Sequence, residues 1–286
     1  MNSVPRLSSR VHRVALCTAM MWAVTASAAS SAAAPPSSDE ANPAARDACA
    51  APMELGRLAA TLPRTRAVLA EGAPLVIVAI GSSSTAGAGA SSDRQNYPSR
   101  LAVELARRKP ASTVHVDNRG ANGEDAAEML TRFDRDVLAS DPDLVVWQMG
   151  TNAILRHVDL DAFEAHVQAG IDRVRAAGID LILMDLQYAP RVVEVAGHLR
   201  MLERLEAIGQ RNGVPVFHRY AVMKYWAQML RADYVTMLSS DGLHMNDASY
   251  VCLAARLADA IVEAGTAGGS SANGNAARPL AASAAK

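Results

Sequence analysis

Short, unbroken runs of apolar residues alternate with longer amphipathic segments through the middle of the chain. An apolar run of about four to eight residues is typical of a strand that is buried on both faces. This pattern predicts strands over residues 75–80, 113–117, 144–149, 179–186 and 214–217. Such strands, separated by helices, form parallel sheets. We therefore expect an α/β fold: a three-layer α/β/α, doubly wound parallel sheet of about five strands.

Helical spacing of apolar residues fills most of the segments between the strands. The predicted helices cover residues 52–69, 97–108, 124–138, 160–177, 199–211, 223–231 and 247–264. Gly72-Ala73-Pro74 separates the first helix from the first strand, because glycine and proline interrupt helices.

Both ends of the chain differ from the middle. Arginines precede an apolar stretch at residues 14–24, and the small residues Ala26-Ser27-Ala28 follow it, which is the pattern of a cleaved signal peptide over residues 1–28. The stretch has about half the ~20 residues that a membrane span needs, so an uncleaved anchor is the less favoured alternative. We predict an N-terminal extension over residues 29–73, disordered and then helical, a folded domain over 74–265 and a flexible tail over 266–286. Export implies a periplasmic or secreted location.

The overall charge narrows the range of partners. The 286 residues carry 28 Lys and Arg against 29 Asp and Glu, which gives a net charge of -1. The chain has no basic cluster with interleaved aromatic residues, so the sequence argues against a nucleic-acid partner. It also argues against stable membrane insertion, and it leaves the oligomeric state open.

Two cysteines, Cys49 and Cys252, follow the predicted signal peptide. In an oxidising compartment they can form a disulfide that ties the N-terminal extension to the last helix. The alternative is a pair of unrelated, buried thiols. The sequence leaves both possibilities open.

Polar segments follow several of the predicted strands. Residues 81–85 read Gly-Ser-Ser-Ser-Thr after the first strand, and residues 118–125 and 150–152 follow the next two. Ligands of a parallel sheet bind beyond the carboxyl ends of its strands. A serine hydroxyl becomes a nucleophile when a base takes its proton, and histidine, with a reference pKa of about 6.5, suits that role when a carboxylate orients it. Asp241 and His244 supply this pair before the last helix.

Cofactor chemistry has less support. A metal site needs more ligands than Asp241 and His244, and the glycine-rich segments lack the spacing of nucleotide-binding loops. We expect no cofactor and no metal.

Taken in order, these segments resemble the SGNH hydrolases, also called GDSL-type esterases and lipases, a flavodoxin-like group of serine hydrolases. The resemblance covers roughly residues 74–264. It implies that Ser83 is the nucleophile and that the backbone of Ser83 helps to bind the oxyanion. By the same resemblance, the remaining site residues are Gly123 and Asn152 in the oxyanion hole and Asp241 and His244 in the catalytic triad.

The chain departs from the family pattern at two positions. Ser82 stands where the family usually has Asp, and Met245 follows the histidine where Pro is frequent. Neither change removes a member of the triad, so we expect activity to survive. Ser82 and Ser84 are expected to be structural.

The resemblance and the export signal together imply an exported serine carboxylester hydrolase. It would act through an acyl-enzyme on short-chain, acetyl esters of a small molecule or of a glycan that carries O-acetyl groups. Tyr188, after the fourth strand, is expected to bind substrate at the pocket rim. The alternatives are a lysophospholipase or thioesterase that acts on lipid acyl esters, and a non-catalytic carbohydrate-binding protein with the same fold.

Overall fold

A computed structural model describes Cys49 and residues 51–229 and 234–266. Within these residues the strands are β1 (Leu75–Gly81), β2 (Val114–Gly120), β3 (Leu144–Gln148), β4 (Asp180–Met184) and β5 (Val216–Phe217). The helices are α1 (Met53–Gly56), α2 (Pro63–Glu71), α3 (Ser83–Ala86), α4 (Tyr97–Arg108), α5 (Ala126–Thr131), α6 (Phe133–Asp136), α7 (Thr151–Leu155), α8 (Leu160–Ala176), α9 (Pro190–Val193), α10 (His198–Asn212), α11 (Arg219–Met229), α12 (Tyr234–Met237) and α13 (Asp247–Thr266), with a 3-10 turn at Leu138–Ser140.

The strands form one parallel sheet in the order β2-β1-β3-β4-β5. This is the flavodoxin-like order, and it confirms the predicted fold class. Because β2 lies on one side of β1 and β3 on the other, the strand order reverses beside β1. Ligands of such sheets bind in the crevice at this reversal, beyond the carboxyl ends of the strands.

The core lies around the three central strands. All five residues of β3 and of β4 are buried, whereas every residue of the edge strand β2 is half-buried or exposed. Trp147 of β3 packs on Phe133, with 5.0 Å between ring centroids. On the other side, a Cβ at Gly170 of α8 would lie 2.2 Å from the Trp147 ring, so only glycine lets the helix approach this closely.

Two predicted helices are wrong in their continuity. The helix predicted over residues 52–69 is split into α1 and α2, because Pro63 begins a new helix and disfavours helical geometry at Leu62. The helix predicted over residues 124–138 begins at Ala126 and breaks after Thr131. Its start is set by the side chain of Asp125, which accepts a hydrogen bond from the N–H of Ala127.

Other differences concern boundaries. Helix α4 has the predicted bounds, but β2 ends three residues later than predicted because it pairs with β1 as far as Gly81 and Gly120. β5 is shorter than predicted, and α11 begins at Arg219 instead of 223. The short helices α3, α7, α9 and α12 were not predicted.

One disulfide joins the beginning of the described chain to its last helix. The sulfur atoms of Cys49 and Cys252 are bonded, with 4.9 Å between the Cα atoms, so the segment that precedes α1 is tied to α13. The predicted signal peptide over residues 1–28 and the predicted tail beyond 266 lie outside the described residues. No helix in the described ranges is long and apolar enough to cross a membrane.

Candidate active site

The turn after β1 exposes one serine of three. Gly81 makes this turn possible, because a Cβ there would lie 2.1 Å from Thr85 Oγ1. Ser82 and Ser84 are 2% and 1% exposed, whereas Ser83, the first residue of α3, is half-buried. The backbone therefore selects Ser83 as the accessible hydroxyl of the cluster.

The loop before α13 brings an imidazole and a carboxylate to that hydroxyl. Ser83 Oγ lies 2.7 Å from His244 Nε2, and His244 Nδ1 lies 2.5 Å from Asp241 Oδ2. An ionised carboxylate only accepts hydrogen bonds, so Nδ1 carries the proton and Nε2 is left to accept one from Ser83. The structure thus brings together Ser83, His244 and Asp241 in the order that a catalytic triad requires.

Asp241 is held in its ionised form. Burial acts to raise the pKa of Asp241, but hydrogen bonds from His244 and from the backbone N–H of Leu243 outweigh it and keep that pKa well below its ordinary value. Asp241 Oδ1 accepts hydrogen bonds from the backbone N–H groups of Leu243 and His244, each at 2.9 Å, and from Ser239 Oγ at 2.7 Å. The carboxylate therefore stays charged and oriented near neutral pH.

The segments after β2 and β3 meet beside this triad. Asn152 Nδ2 donates a hydrogen bond to the carbonyl of Glu124 at 2.8 Å. Gly123 has a φ of 81°, in the left-handed region that favours glycine, and its carbonyl accepts a hydrogen bond from Arg156. The guanidinium of Arg132 forms an ion pair with Glu124 at 2.7 Å and donates a hydrogen bond to the carbonyl of Gly81 at 3.4 Å. The loop that carries Gly123 is therefore tied to β1 and to α7, the helix after β3.

Two backbone donors at the site are unoccupied. Among the described residues, neither the N–H of Ser83 nor that of Gly123 has a hydrogen-bond acceptor. An oxyanion hole requires such free, fixed donors. The residues that the structure describes contain no group of three or more His, Cys, Asp or Glu placed to hold a metal ion.

Sequence reasoning missed two buried glutamines under the turn. Gln148, the last residue of β3, accepts three hydrogen bonds at Oε1: from Ser82 N–H at 2.9 Å, Ser82 Oγ at 3.0 Å and Thr85 Oγ1 at 3.1 Å. Gln187, after β4, accepts a hydrogen bond from Ser84 Oγ at 2.6 Å and donates one to the carbonyl of Leu243 at 3.0 Å. A glutamine that closes an otherwise apolar strand was the available signal for Gln148.

Tyr188 lies next to Gln187 and is half-buried. Its ring meets the ring of Tyr220 edge-on, with 5.2 Å between centroids. One side of the Tyr188 ring therefore packs within the protein. Its role in binding substrate stays a prediction.

Comparison with known sequences places most of the chain in one family model. Residues 48–267 match the model of the Non-GDSL lipase-like family. No curated protein sequence matches the chain.

Solved structures with this fold include several esterases. A two-domain esterase (CEX) active on acetylated mannans has a TM-score of 0.64 at 19% identity, over 80% of this chain and 61% of that one. The acetyl xylan esterase AlAXEase has a TM-score of 0.57 at 20% identity, over 65% of this chain and 100% of that one. A catalytic mutant of Axe2, an acetylxylan esterase from Geobacillus stearothermophilus, has a TM-score of 0.55 at 19% identity, over 66% of this chain and 95% of that one. At these identities the likeness concerns the fold.

Proposed function

The chain belongs to the Non-GDSL lipase-like family, and we propose that it is an exported serine carboxylester hydrolase that removes short acyl groups, acetyl above all, from a glycan. The observation that carries this proposal is the continuous hydrogen-bonded series from Ser83 through His244 to Asp241. Export is supported by the arginines and the apolar stretch within residues 1–28.

The first half-reaction forms an acyl-enzyme. His244 Nε2 takes the proton of Ser83 Oγ, and the oxygen attacks the ester carbonyl carbon to form a tetrahedral intermediate. The imidazolium is stabilised by Asp241. It then gives its proton to the alkoxy oxygen of the leaving group, the carbon–oxygen bond breaks, and the alcohol departs.

The second half-reaction regenerates the enzyme. A water molecule loses a proton to His244 and attacks the acyl carbon, and collapse of the second intermediate returns the proton to Ser83 as the carboxylic acid leaves. In both intermediates the oxyanion would accept hydrogen bonds from the N–H groups of Ser83 and Gly123 and from Asn152 Nδ2. The free backbone donors at Ser83 and Gly123 support this assignment.

The substrate class rests on the structural relatives. The two-domain relative is described as active on acetylated mannans, and two others are acetyl xylan esterases. An acetylated polysaccharide is therefore the substrate that we propose for this chain. The lipase-like name of the family favours lipid acyl esters as the second candidate.

A chain-length series tests the proposal. Hydrolysis of p-nitrophenyl esters from acetyl to palmitoyl is measured beside acetate release from acetylated mannan and xylan. We expect a preference for acetyl, with no turnover by Ser83→Ala. The matched control is Ser140→Ala, which removes a serine hydroxyl from the 3-10 turn and should keep wild-type activity. Inactivity of the wild type on every ester would refute the proposed esterase function, and a preference for the palmitoyl ester would favour lipid acyl esters as the substrate.

A further inference from the structure

The residue after the nucleophile is fixed by a buried side chain from another part of the chain. Ser84 Oγ donates a hydrogen bond to Gln187 Oε1 at 2.6 Å, and both residues are 1% exposed. The other end of the same amide, Gln187 Nε2, donates to the carbonyl of Leu243 at 3.0 Å. Gln187 therefore contacts two segments at once.

These two segments carry the nucleophile and the base. Ser84 follows Ser83, and Leu243 precedes His244, so the amide of Gln187 joins the immediate neighbours of both catalytic side chains. Apart from the hydrogen bond between Ser83 and His244, the hydrogen bonds found between these segments lie further from the reacting groups: Tyr250 donates to the carbonyl of Ala88 at 2.7 Å, and Ser91 Oγ donates to Asp247 at 2.6 Å. Among these links, the Gln187 contacts are the ones next to the reacting groups.

The chemistry of the amide matches what the two segments present. Ser84 offers a hydroxyl donor and Leu243 a carbonyl acceptor, and an amide carries an acceptor and a donor side by side at its end. A carboxylate at residue 187 would accept from Ser84 but would lack the donor for Leu243. A thioether of the same length would serve neither partner. Because Ser84 and Gln187 are almost fully buried, each lost bond would leave a buried polar group unpaired.

We propose that Gln187 is a positioning residue, which sets the separation of Ser83 Oγ and His244 Nε2. The inference rests on the proposed function, since that separation matters only if Ser83 is the nucleophile. Gln187 acts through Ser84 and Leu243 and does not touch the reacting atoms. A shift of about 1 Å between catalytic groups can cost about 100-fold in rate, so loss of the two Gln187 hydrogen bonds should lower kcat.

The test compares Gln187→Met with a matched control, Gln168→Met. Gln168 also makes hydrogen bonds through both ends of its amide, with Asp172 and Asn212, but it lies on α8, outside the site. We expect Gln187→Met to lower kcat by about 10- to 100-fold, with KM within about twofold of wild type. Gln168→Met should keep the wild-type kcat.

A fluorophosphonate probe separates positioning from stability. Titration with the probe counts the active sites, and kcat is expressed per titrated site, so simple loss of folded protein leaves kcat unchanged. The rate constant of Ser83 labelling should fall in parallel with kcat in Gln187→Met. Ser84→Ala, which is smaller and keeps Gln187, should lower kcat less. The double variant should be no worse than Gln187→Met, because the Ser84 bond is already lost there.

The outcomes distinguish this inference from the proposed function. An active wild type with an unchanged kcat per site in Gln187→Met would overturn the positioning role alone, as would fully additive effects of the two substitutions. If Gln187→Met does not fold, an unchanged kcat per site in Ser84→Ala would overturn it equally. A wild type that neither turns over esters nor reacts with the probe would overturn the proposed function, and the positioning role with it.

Discussion

Removing the bond between Cys49 and Cys252 should lower the free energy of unfolding by several kcal/mol. The two cysteines are 203 residues apart in sequence, so the bond closes almost the whole described chain into one loop. With this separation, the chain-entropy relation gives about 18 cal/mol/K, or about 5 kcal/mol at 25 °C. Residual structure in the reduced, unfolded chain lowers this figure, and removal of native disulfides costs about 2–5 kcal/mol. Domains are stable by only about 5–15 kcal/mol, so the loss is a large fraction.

The surroundings of the bond provide a local reporter. Cys252 is buried on α13, and the carbonyl of Cys49 accepts a hydrogen bond from the indole of Trp226 at 3.3 Å. Release of Cys49 on reduction would remove this partner of a fully buried tryptophan. We expect the fluorescence of Trp226 to change on reduction before any global unfolding.

The measurement is guanidinium unfolding of oxidised and reduced protein, followed by circular dichroism and fluorescence. The reduced protein should unfold at lower denaturant, with a larger dependence on denaturant because its unfolded chain is more expanded. In a thermal scan, 2–5 kcal/mol corresponds to about 5–20 °C for a domain of this size. The variant with both Cys49→Ala and Cys252→Ala serves as the control, since a reductant should not affect it.

Two results would refute this reasoning. One is alkylation of both thiols in the native protein without a reductant, which would show that no bond exists. The other is an unchanged unfolding midpoint after complete reduction, which would mean that the unfolded chain is not appreciably constrained by the bond.

Further predictions concern the site and its surroundings. Asn152→Ala should lower kcat by about 10²–10³-fold with little change in KM, in steady-state kinetics on p-nitrophenyl acetate, and a raised KM with an unchanged kcat would argue against oxyanion binding. Gly123→Ala should cost about 1–2 kcal/mol in urea unfolding because φ is 81°, and no loss would contradict the left-handed geometry. The hydrogen bond with Asp185 raises the pKa of His218 above its ordinary value. Protonated His218 therefore stabilises the folded state, fully below about pH 6.5, and this stabilisation is lost as pH rises through the folded-state pKa. In urea unfolding at several pH values, His218→Gln should show a smaller fall in unfolding free energy above about pH 6.5 than the wild type.

The fold was predictable because its information is local. Unbroken apolar runs mark β1, β3 and β4, since a strand buried on both faces tolerates few polar residues, and the 97–108 pattern marks α4 with its exact bounds. Element ends depend on neighbours in space. β2 continues to Gly120 because Gly81 of β1 pairs with it, and no property of residues 118–120 alone signals that partner.

The three side chains that the structure brings together at the candidate site were predictable, but the residues that support them were not. Ser83, Asp241 and His244 were identifiable because short segments of defined order carry them. Gln187 contacts Ser84 and Leu243 from far away in sequence, 103 and 56 residues respectively. Its role depends on how three loops converge, and a glutamine in a loop after a strand carries no signal of that convergence.

The departure at Ser82 has a structural reason in β3. Gln148 is fully buried and directs Oε1, an acceptor, at residue 82, where it receives both the N–H and the hydroxyl of Ser82. A carboxylate at residue 82 would place a second acceptor against Oε1, and turning the amide over would leave the donors of residue 82 and Thr85 without their acceptor. A hydroxyl fits this environment because it donates. The serine that breaks the usual Gly-Asp-Ser pattern is therefore matched to the glutamine that ends β3, and the pair keeps the turn in the geometry that presents Ser83.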